Sequence, residues 1–123
     1  MDTNRVNVQV LALLGDAVLS LYIREELLNQ GINNANKLQE KSIKYVSAKG
    51  EVNILNKLIE DEILTKEELD IVKRGRNNKK ENHPKNTDII TYKLSTGFEA
   101  LLGDLYLKDK ERLEEILKKI EVK

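Results

Sequence analysis

The pentapeptide ALLGD occupies residues 12–16 and recurs without change at residues 100–104. Each copy places an aspartate in a stretch that is otherwise apolar enough to form part of a protein core. A carboxylate in such surroundings is costly to desolvate unless a positively charged partner meets it. Both segments are therefore candidates for the core of the fold and for a functional site within it.

With 123 residues, the chain is long enough for one domain with a single hydrophobic core. It contains no cysteine, which excludes disulfides and thiolate metal sites and is typical of a reducing compartment, so we expect the cytoplasm. No signal-peptide pattern opens the chain, and Gln9, Asp16 and Ser20 interrupt the first apolar stretch, so we expect no membrane span. Lys and Arg total 21, as do Asp and Glu, and the net charge of zero therefore predicts no class of partner.

Apolar periodicity and capping residues predict an all-α domain of about six helices. Thr3 or Asn4 is a candidate cap for the first helix, Gly31 is its expected end, and Thr65 with Glu68 forms a capping box that opens the fourth. No segment alternates apolar and polar residues for long enough to predict a strand. The predicted helices cover residues 4–29, 34–49, 51–59, 65–72, 89–107 and 110–121.

Two of these helices carry a polar stripe on an otherwise apolar surface. At 100° per residue, Gln9 and Ser20 fall within about 40° of Asp16, on a first helix that we expect to be buried almost all round. On the fifth helix Glu99 lies on a similar polar face, whereas Asp104 points about 140° away from it. We therefore predict that Asp104 is an exposed or capping acid and that it does not share a site with Glu99.

The periodicity leaves two interpretations of Asp16 and Glu99 open. Each carboxylate can be salt-bridged to a lysine or arginine and fix the register of the helices. Alternatively, the two together can bind a divalent cation, as carboxylates do in the interiors of helical bundles.

Several segments resemble one known family. LGDAVL at residues 14–19 resembles the signature helix of the ribonuclease III family, and FEALLG at residues 98–103 resembles that family's second metal-binding helix. Further similarity to the Mini-III type of this family lies in YVSAK at 45–49, RGRN at 74–77, KN at 85–86 and STGFEAL at 95–101. The matching segments run in order from about residue 11 to residue 107.

The resemblance implies a ribonuclease III-like catalytic domain over residues 1–123 that works as a homodimer and cleaves double-stranded RNA with Mg²⁺. It assigns catalysis and metal binding to Asp16 and Glu99. Full-length family members carry further acids where this chain has Gln9, Ala12 and Thr96, so we expect one firmly held Mg²⁺. It also implies maturation of the 23S (large-subunit) ribosomal RNA precursor, with a ribosomal protein as a candidate partner.

A basic segment is the candidate RNA-binding surface. Between residues 73 and 85 six basic residues face a single acid, within a long polar loop that contains Pro84. Charge alone fits either a solvated run or an arm that contacts phosphates. The resemblance is to the catalytic domain alone, and we do not expect the double-stranded-RNA-binding domain of full-length relatives. We therefore predict that this basic segment contacts RNA. The predicted contacts are Lys73, Arg74, Arg76, Asn77, Lys79, Lys80, Lys85 and Asn86.

Two other classes of function remain open from the sequence. The chain can be a non-catalytic ribonuclease III-like module that binds RNA without cutting it. It can also be a helical interaction module whose buried acids only pair with basic side chains. Metal-dependent cleavage of a duplex would distinguish an enzyme from the RNA-binding module. Thermal stabilisation by a metal would distinguish a metal-binding protein from the interaction module.

Overall fold

The computed structural model describes residues 1–78 and 88–123, and all regular structure in these two ranges is helical. A short 3-10 turn, Thr3–Arg5, precedes the first α-helix. The α-helices of the described ranges are α1 Val8–Asn29, α2 Ala35–Val46, α3 Ala48–Glu60, α4 Lys66–Arg76, α5 Ile89–Lys108 and α6 Lys110–Leu117. The predicted all-α class is confirmed.

Helices α1 and α5 form the centre of the bundle and make its most extensive contact. The two copies of ALLGD cross each other there, main chain against main chain. A Cβ atom on Gly15 would lie 2.6 Å from the carbonyl carbon of Glu99, and one on Gly103 would lie 2.8 Å from that of Leu11. Only glycine fits at either position without moving a helix, because the neighbouring atoms belong to the backbone.

The hydrophobic core surrounds this crossing. Leu19, Ile23 and Leu27 of α1 are fully buried against Phe98 and Leu102 of α5. Helices α3 and α6 close the same cluster with Leu55, Leu58, Leu113 and Ile116. The two central helices are therefore fixed relative to each other from several sides.

Local caps explain most helix ends. The predicted capping box is confirmed, since the Thr65 hydroxyl accepts from the Glu68 amide at 3.1 Å and the Glu68 carboxylate accepts from the Thr65 amide at 2.9 Å. Gly31, with φ of 97°, follows α1 as predicted. Asn34 caps α2 by accepting from the Lys37 amide at 3.0 Å.

Several predicted boundaries are wrong. Helix α1 begins at Val8 because Asn7 caps it by accepting from the Gln9 amide at 2.7 Å. The second predicted helix, 34–49, ends at Val46, since Ser47 caps α3 by accepting from the Gly50 amide at 3.1 Å. Helix α4 continues beyond residue 72 to Arg76, and α6 ends at Leu117 rather than at residue 121.

The expectation that α1 is buried almost all round is wrong for the single chain. Val10, Leu13, Leu21 and Leu28 are 53%, 72%, 68% and 51% exposed. At 100° per residue these four side chains fall within about 80° of one another, so they form one apolar stripe along α1. We call these four residues the α1 stripe. No helix in the described ranges is long and apolar enough to cross a membrane.

Candidate metal centre and nucleic-acid interface

Three carboxylates from three helices meet beside the α1–α5 crossing. Asp16 of α1, Glu51 of α3 and Glu99 of α5 each offer an oxygen, and these oxygens lie within 4.8 Å of one another. We call these three residues the acidic cluster. Asp16 is exposed, Glu99 is half-buried and Glu51 is buried, so the cluster is open to solvent on the Asp16 side.

The backbone positions each of these acids. Asp16 directly follows Gly15, which contacts the carbonyl group of Glu99. The close approach of α1 and α5 at Gly15 and Gly103, which we call the glycine crossing, therefore brings Asp16 and Glu99 together. Glu51 lies in the first turn of α3, next to Gly50. A Cβ atom on Gly50 would lie 2.8 Å from the carbonyl carbon of Lys44, so the start of α3 packs directly on the end of α2.

The electrostatics of the cluster favour a positive charge within it. Burial raises the pKa of Glu51 to about 11, and the negative charges of Glu99 and Asp16 and a hydrogen bond with Glu99 act in the same direction. Within the described part of the chain, Glu51 Oε2 is buried and makes no hydrogen bond. Carboxylate oxygens are the hard ligands that Mg²⁺ binds in proteins, so the donor set fits this ion.

The structure brings together the two acids that the sequence singled out, Asp16 and Glu99. Among residues 1–78 and 88–123, no lysine or arginine forms a salt bridge with Asp16. The salt-bridge interpretation of Asp16 therefore has no support in the described ranges.

Sequence reasoning missed Glu51. A usable signal existed, because Glu51, Leu55 and Leu58 are spaced i, i+4 and i+7 and share the buried face of α3. An acid in the first turn of a helix is, however, also the common favourable partner of the helix dipole. Its burial becomes visible only when α3 is packed against α5.

The prediction for Asp104 is wrong. This residue is 1% exposed, and its Oδ2 lies 2.8 Å from Lys108 Nζ, one turn later on α5. It lies outside the acidic cluster, as its angle on the helix predicted. Helical projection gave its direction correctly, but the face to which it points is covered by other helices.

Four of the predicted RNA contacts lie at the end of α4. Lys73, Arg74 and Arg76 are in its last turn and Asn77 caps it, whereas the sequence placed residues 74–77 in a loop. Arg74 donates to the carbonyl oxygen of Val6 at 2.8 Å, so part of its guanidinium group serves the fold. The other predicted contacts, Lys79, Lys80, Lys85 and Asn86, lie outside the described residues.

A cavity of about 320 Å³ adjoins this basic helix end. Arg76 and Asn77 line it together with Ile90 and Lys93 of α5. Lys93 was not among the predicted contacts, because on the sequence it belongs to a separate helix with no other basic residue nearby. The fold places Lys93 on the same cavity as two residues that were predicted.

The fold carries an acidic cluster at the crossing of its central helices and, separately, basic residues at the end of α4, and both features fit an enzyme that cleaves nucleic acid. The comparisons with known proteins define the class as endoribonuclease. Residues 9–110 match the family model of the Ribonuclease III domain. The chain belongs to the ribonuclease III family, which confirms the resemblance found in its sequence.

Curated relatives and a solved structure agree with this assignment. Mini-ribonuclease 3 of Streptococcus pneumoniae is 43% identical over 118 residues, covering 95% of this chain and 92% of the relative. Mini-ribonuclease 3 of Staphylococcus aureus is 48% identical over 116 residues, covering 94% and 87%. The crystal structure of protein FN1578 from Fusobacterium nucleatum is similar with a TM-score of 0.81 at 34% identity, covering 96% of this chain and 93% of that one.

Proposed function

We propose that this endoribonuclease uses Mg²⁺ to cleave double-stranded RNA and matures the ends of the 23S ribosomal RNA precursor as a cytoplasmic homodimer. The observation that carries the proposal is the convergence of Asp16 and Glu99 within the acidic cluster. The similarity to proteins named Mini-ribonuclease 3 over nearly the whole chain supports RNA as the substrate. A ribosomal protein is a candidate partner on such a precursor.

The mechanism assigns Asp16 and Glu99 as ligands of the metal and as the catalytic residues. When bound, Mg²⁺ supplies a Lewis acid that polarises the scissile phosphodiester and lowers the pKa of the attacking water. Asp16 is exposed, so an RNA phosphate can approach the cluster from this side without opening the core. The glycine crossing holds both acids in place before substrate binds, which lowers the cost of organising the reaction.

The basic end of α4 supports a duplex as the substrate. Phosphates of A-form RNA are accessible along its shallow minor groove, and cations that contact them give affinity with little sequence selection. Arg76 and Lys93 line one cavity, which joins α4 to the helix that carries Glu99. With Lys73, Arg74, Asn77, Lys79, Lys80, Lys85 and Asn86, they form the proposed RNA contacts.

The α1 stripe supports a homodimer. Four large apolar side chains exposed on one helix face are unusual for a monomer and typical of a subunit interface. A two-fold axis beside α1 pairs this face with its own copy. Two clusters then act on one duplex, one on each strand.

Cleavage of a long RNA duplex, with Mg²⁺ and with chelator, tests the proposal. Asp16→Asn and Glu99→Gln should each lower the cleavage rate at least about a hundredfold, since the lost metal interaction contributes several kcal/mol to the transition state. Both variants should still bind the duplex. Asp104→Asn is the matched control, because this aspartate ends an identical pentapeptide but lies outside the cluster, and it should cleave normally.

Near-normal cleavage by Asp16→Asn or Glu99→Gln would refute the assignment of the catalytic residues. Duplex binding without cleavage by the wild-type protein, at any Mg²⁺ concentration, would instead favour the non-catalytic RNA-binding module.

A further inference from the structure

Glu51 is a buried acid whose charge the fold alone does not satisfy. It is 1% exposed, and within the described residues its Oε2 makes no hydrogen bond. A carboxylate this far from water is unfavourable unless it is paired or coordinates a metal. The other strongly buried acids of the described ranges have basic partners, since Glu68 pairs with Arg112 and Asp104 pairs with Lys108, although neither oxygen of Asp104 makes a hydrogen bond within the described residues.

The charged groups that face Glu51 have the wrong sign to stabilise it. Among residues 1–78 and 88–123, no lysine or arginine forms a salt bridge with Glu51. Its charged neighbours are Glu99 and Asp16, with oxygens of all three residues within 4.8 Å of one another. Three ionised carboxylates at such distances would repel one another, and one cation between them would remove the repulsion for all three.

Glu51 cannot easily move out of this position. Ser47 caps α3, and Gly50 packs against the main chain of Lys44 and Tyr45 at the end of α2. Leu55 and Leu58 anchor the same face of α3 in the main core. The carboxylate is therefore directed at Asp16 and Glu99 by the fold and not by a flexible loop.

On α1 and α5, the positions one turn before Asp16 and Glu99 do not supply a third metal ligand. The hydroxyl of Thr96, one turn before Glu99, donates to the carbonyl oxygen of Tyr92 at 3.0 Å. Ala12, one turn before Asp16, packs in a small apolar cluster with Val8. Neither helix α1 nor helix α5 offers a third carboxylate at these positions, whereas α3 does.

We propose that Glu51 is the third protein carboxylate of the divalent-cation site and that, with it, the site holds its cation before RNA binds. This inference rests on the metal site of the proposed function and adds to it a ligand from a third helix. Mg²⁺ held by one or two carboxylates depends on substrate phosphates to complete its binding. A third carboxylate allows binding by the protein alone.

Thermal unfolding without RNA tests this inference. The Tm of chelator-treated protein is measured across a series of MgCl₂ and, separately, MnCl₂ concentrations, and the apparent Kd is taken from the rise in Tm. The wild-type protein should show a saturable rise. In Glu51→Gln the apparent Kd should increase at least about tenfold, while the metal-free Tm stays about equal, because glutamine has nearly the same shape as glutamate.

Asp104→Asn provides the matched control, since it also neutralises an acid that is 1% exposed but lies outside the cluster. It should keep the metal-dependent rise. Glu51→Asp, which retains the charge on a shorter side chain, should bind the metal more weakly than the wild type and more tightly than Glu51→Gln. If Glu51→Gln fails to fold, Glu51→Asp still tests whether residue 51 contributes to metal binding.

Two results would overturn the inference: an unchanged apparent Kd in Glu51→Gln and Glu51→Asp, or no metal-dependent rise in Tm of the wild-type protein. Either can occur while RNA is still cleaved with Mg²⁺, in which case the proposed function stands and the third ligand does not. Conversely, Glu51-dependent metal binding without cleavage of any duplex would support the inference and refute the proposed function.

Discussion

Gly15→Ala tests whether the main-chain crossing of α1 and α5 sets the distance between Asp16 and Glu99. An alanine Cβ would lie 2.6 Å from the carbonyl carbon of Glu99 and 2.9 Å from the amide nitrogen of Gly103, whereas ordinary contacts begin at 3.4 Å. Both obstacles are backbone atoms, which cannot rotate away. The carbonyl oxygen of Glu99 lies nearer still to the added Cβ. The separation of about 0.8 Å that relieves the contact with the carbonyl carbon, from 2.6 to 3.4 Å, is therefore a lower bound on the movement of the helices.

The cost follows from two opposing terms. Overpacking costs up to about 3 kcal/mol and the helix propensity of alanine returns about 1 kcal/mol, so the free energy of unfolding should fall by about 2 kcal/mol. For a domain of this size, that corresponds to a decrease in Tm of about 6–12 °C. Displacement of Asp16 by about 1 Å should also slow RNA cleavage by about a hundredfold, even at temperatures where the variant is fully folded.

Circular dichroism melting and a duplex-cleavage assay at low temperature measure the two effects of Gly15→Ala. Gly31→Ala is the control. Its φ of 97° makes alanine unfavourable by about 1 kcal/mol, but no atom of residues 1–78 and 88–123 lies within 4 Å of the added Cβ. This control should lower Tm and leave the cleavage rate unchanged. A Gly15→Ala protein with wild-type Tm and wild-type cleavage would refute the reasoning.

Two further predictions concern the rest of the fold. Arg112 donates to both carboxylate oxygens of Glu68, at 2.7 and 2.8 Å, and these hydrogen bonds hold the pKa of Glu68 below its usual value. The stabilisation is therefore complete above the ordinary pKa of 4.5 and is lost as the pH falls through the lowered value. Between about pH 5 and about pH 3, the wild-type Tm should fall more steeply than that of Glu68→Gln, and parallel curves would contradict this. Leu21→Asp introduces a charge into the α1 stripe about 140° from Asp16, and it should weaken the proposed dimer at least about a hundredfold in sedimentation. Ile59→Asp is its control, because Ile59 is an exposed apolar residue of α3, outside the α1 stripe. An unaffected dimer in Leu21→Asp would show that the α1 stripe is not the interface.

Helix ends were predictable where one side chain bonds to nearby backbone. The Thr65–Glu68 capping box and the position of Gly31 could be read directly, because each depends on residues adjacent in the chain. The boundary between α2 and α3 could not be predicted from adjacent residues in the same way. Ser47 and Gly50 both signal a helix end, and only the packing of Gly50 on α2 makes it part of α3.

The candidate site was predictable only in part, for a related reason. Asp16 and Glu99 stand out because each is an acid on a helix that is otherwise mostly apolar. Glu51 begins a helix of mixed polarity, where an acid is ordinary, and its burial depends on the approach of α5. The angle of Asp104 was correct, but a projection around one helix contains no information on which neighbours cover each face.

The three acids are separated in the chain by whole helices, at residues 16, 51 and 99. A nascent or partly folded polypeptide that lacks any one of α1, α3 and α5 cannot assemble the donor set. With the proposed metal site, acquisition of the cation would be linked to the last steps of folding, and immature chains should not cleave RNA. In a cell, this order would protect transcripts from incomplete copies of the enzyme during its own synthesis.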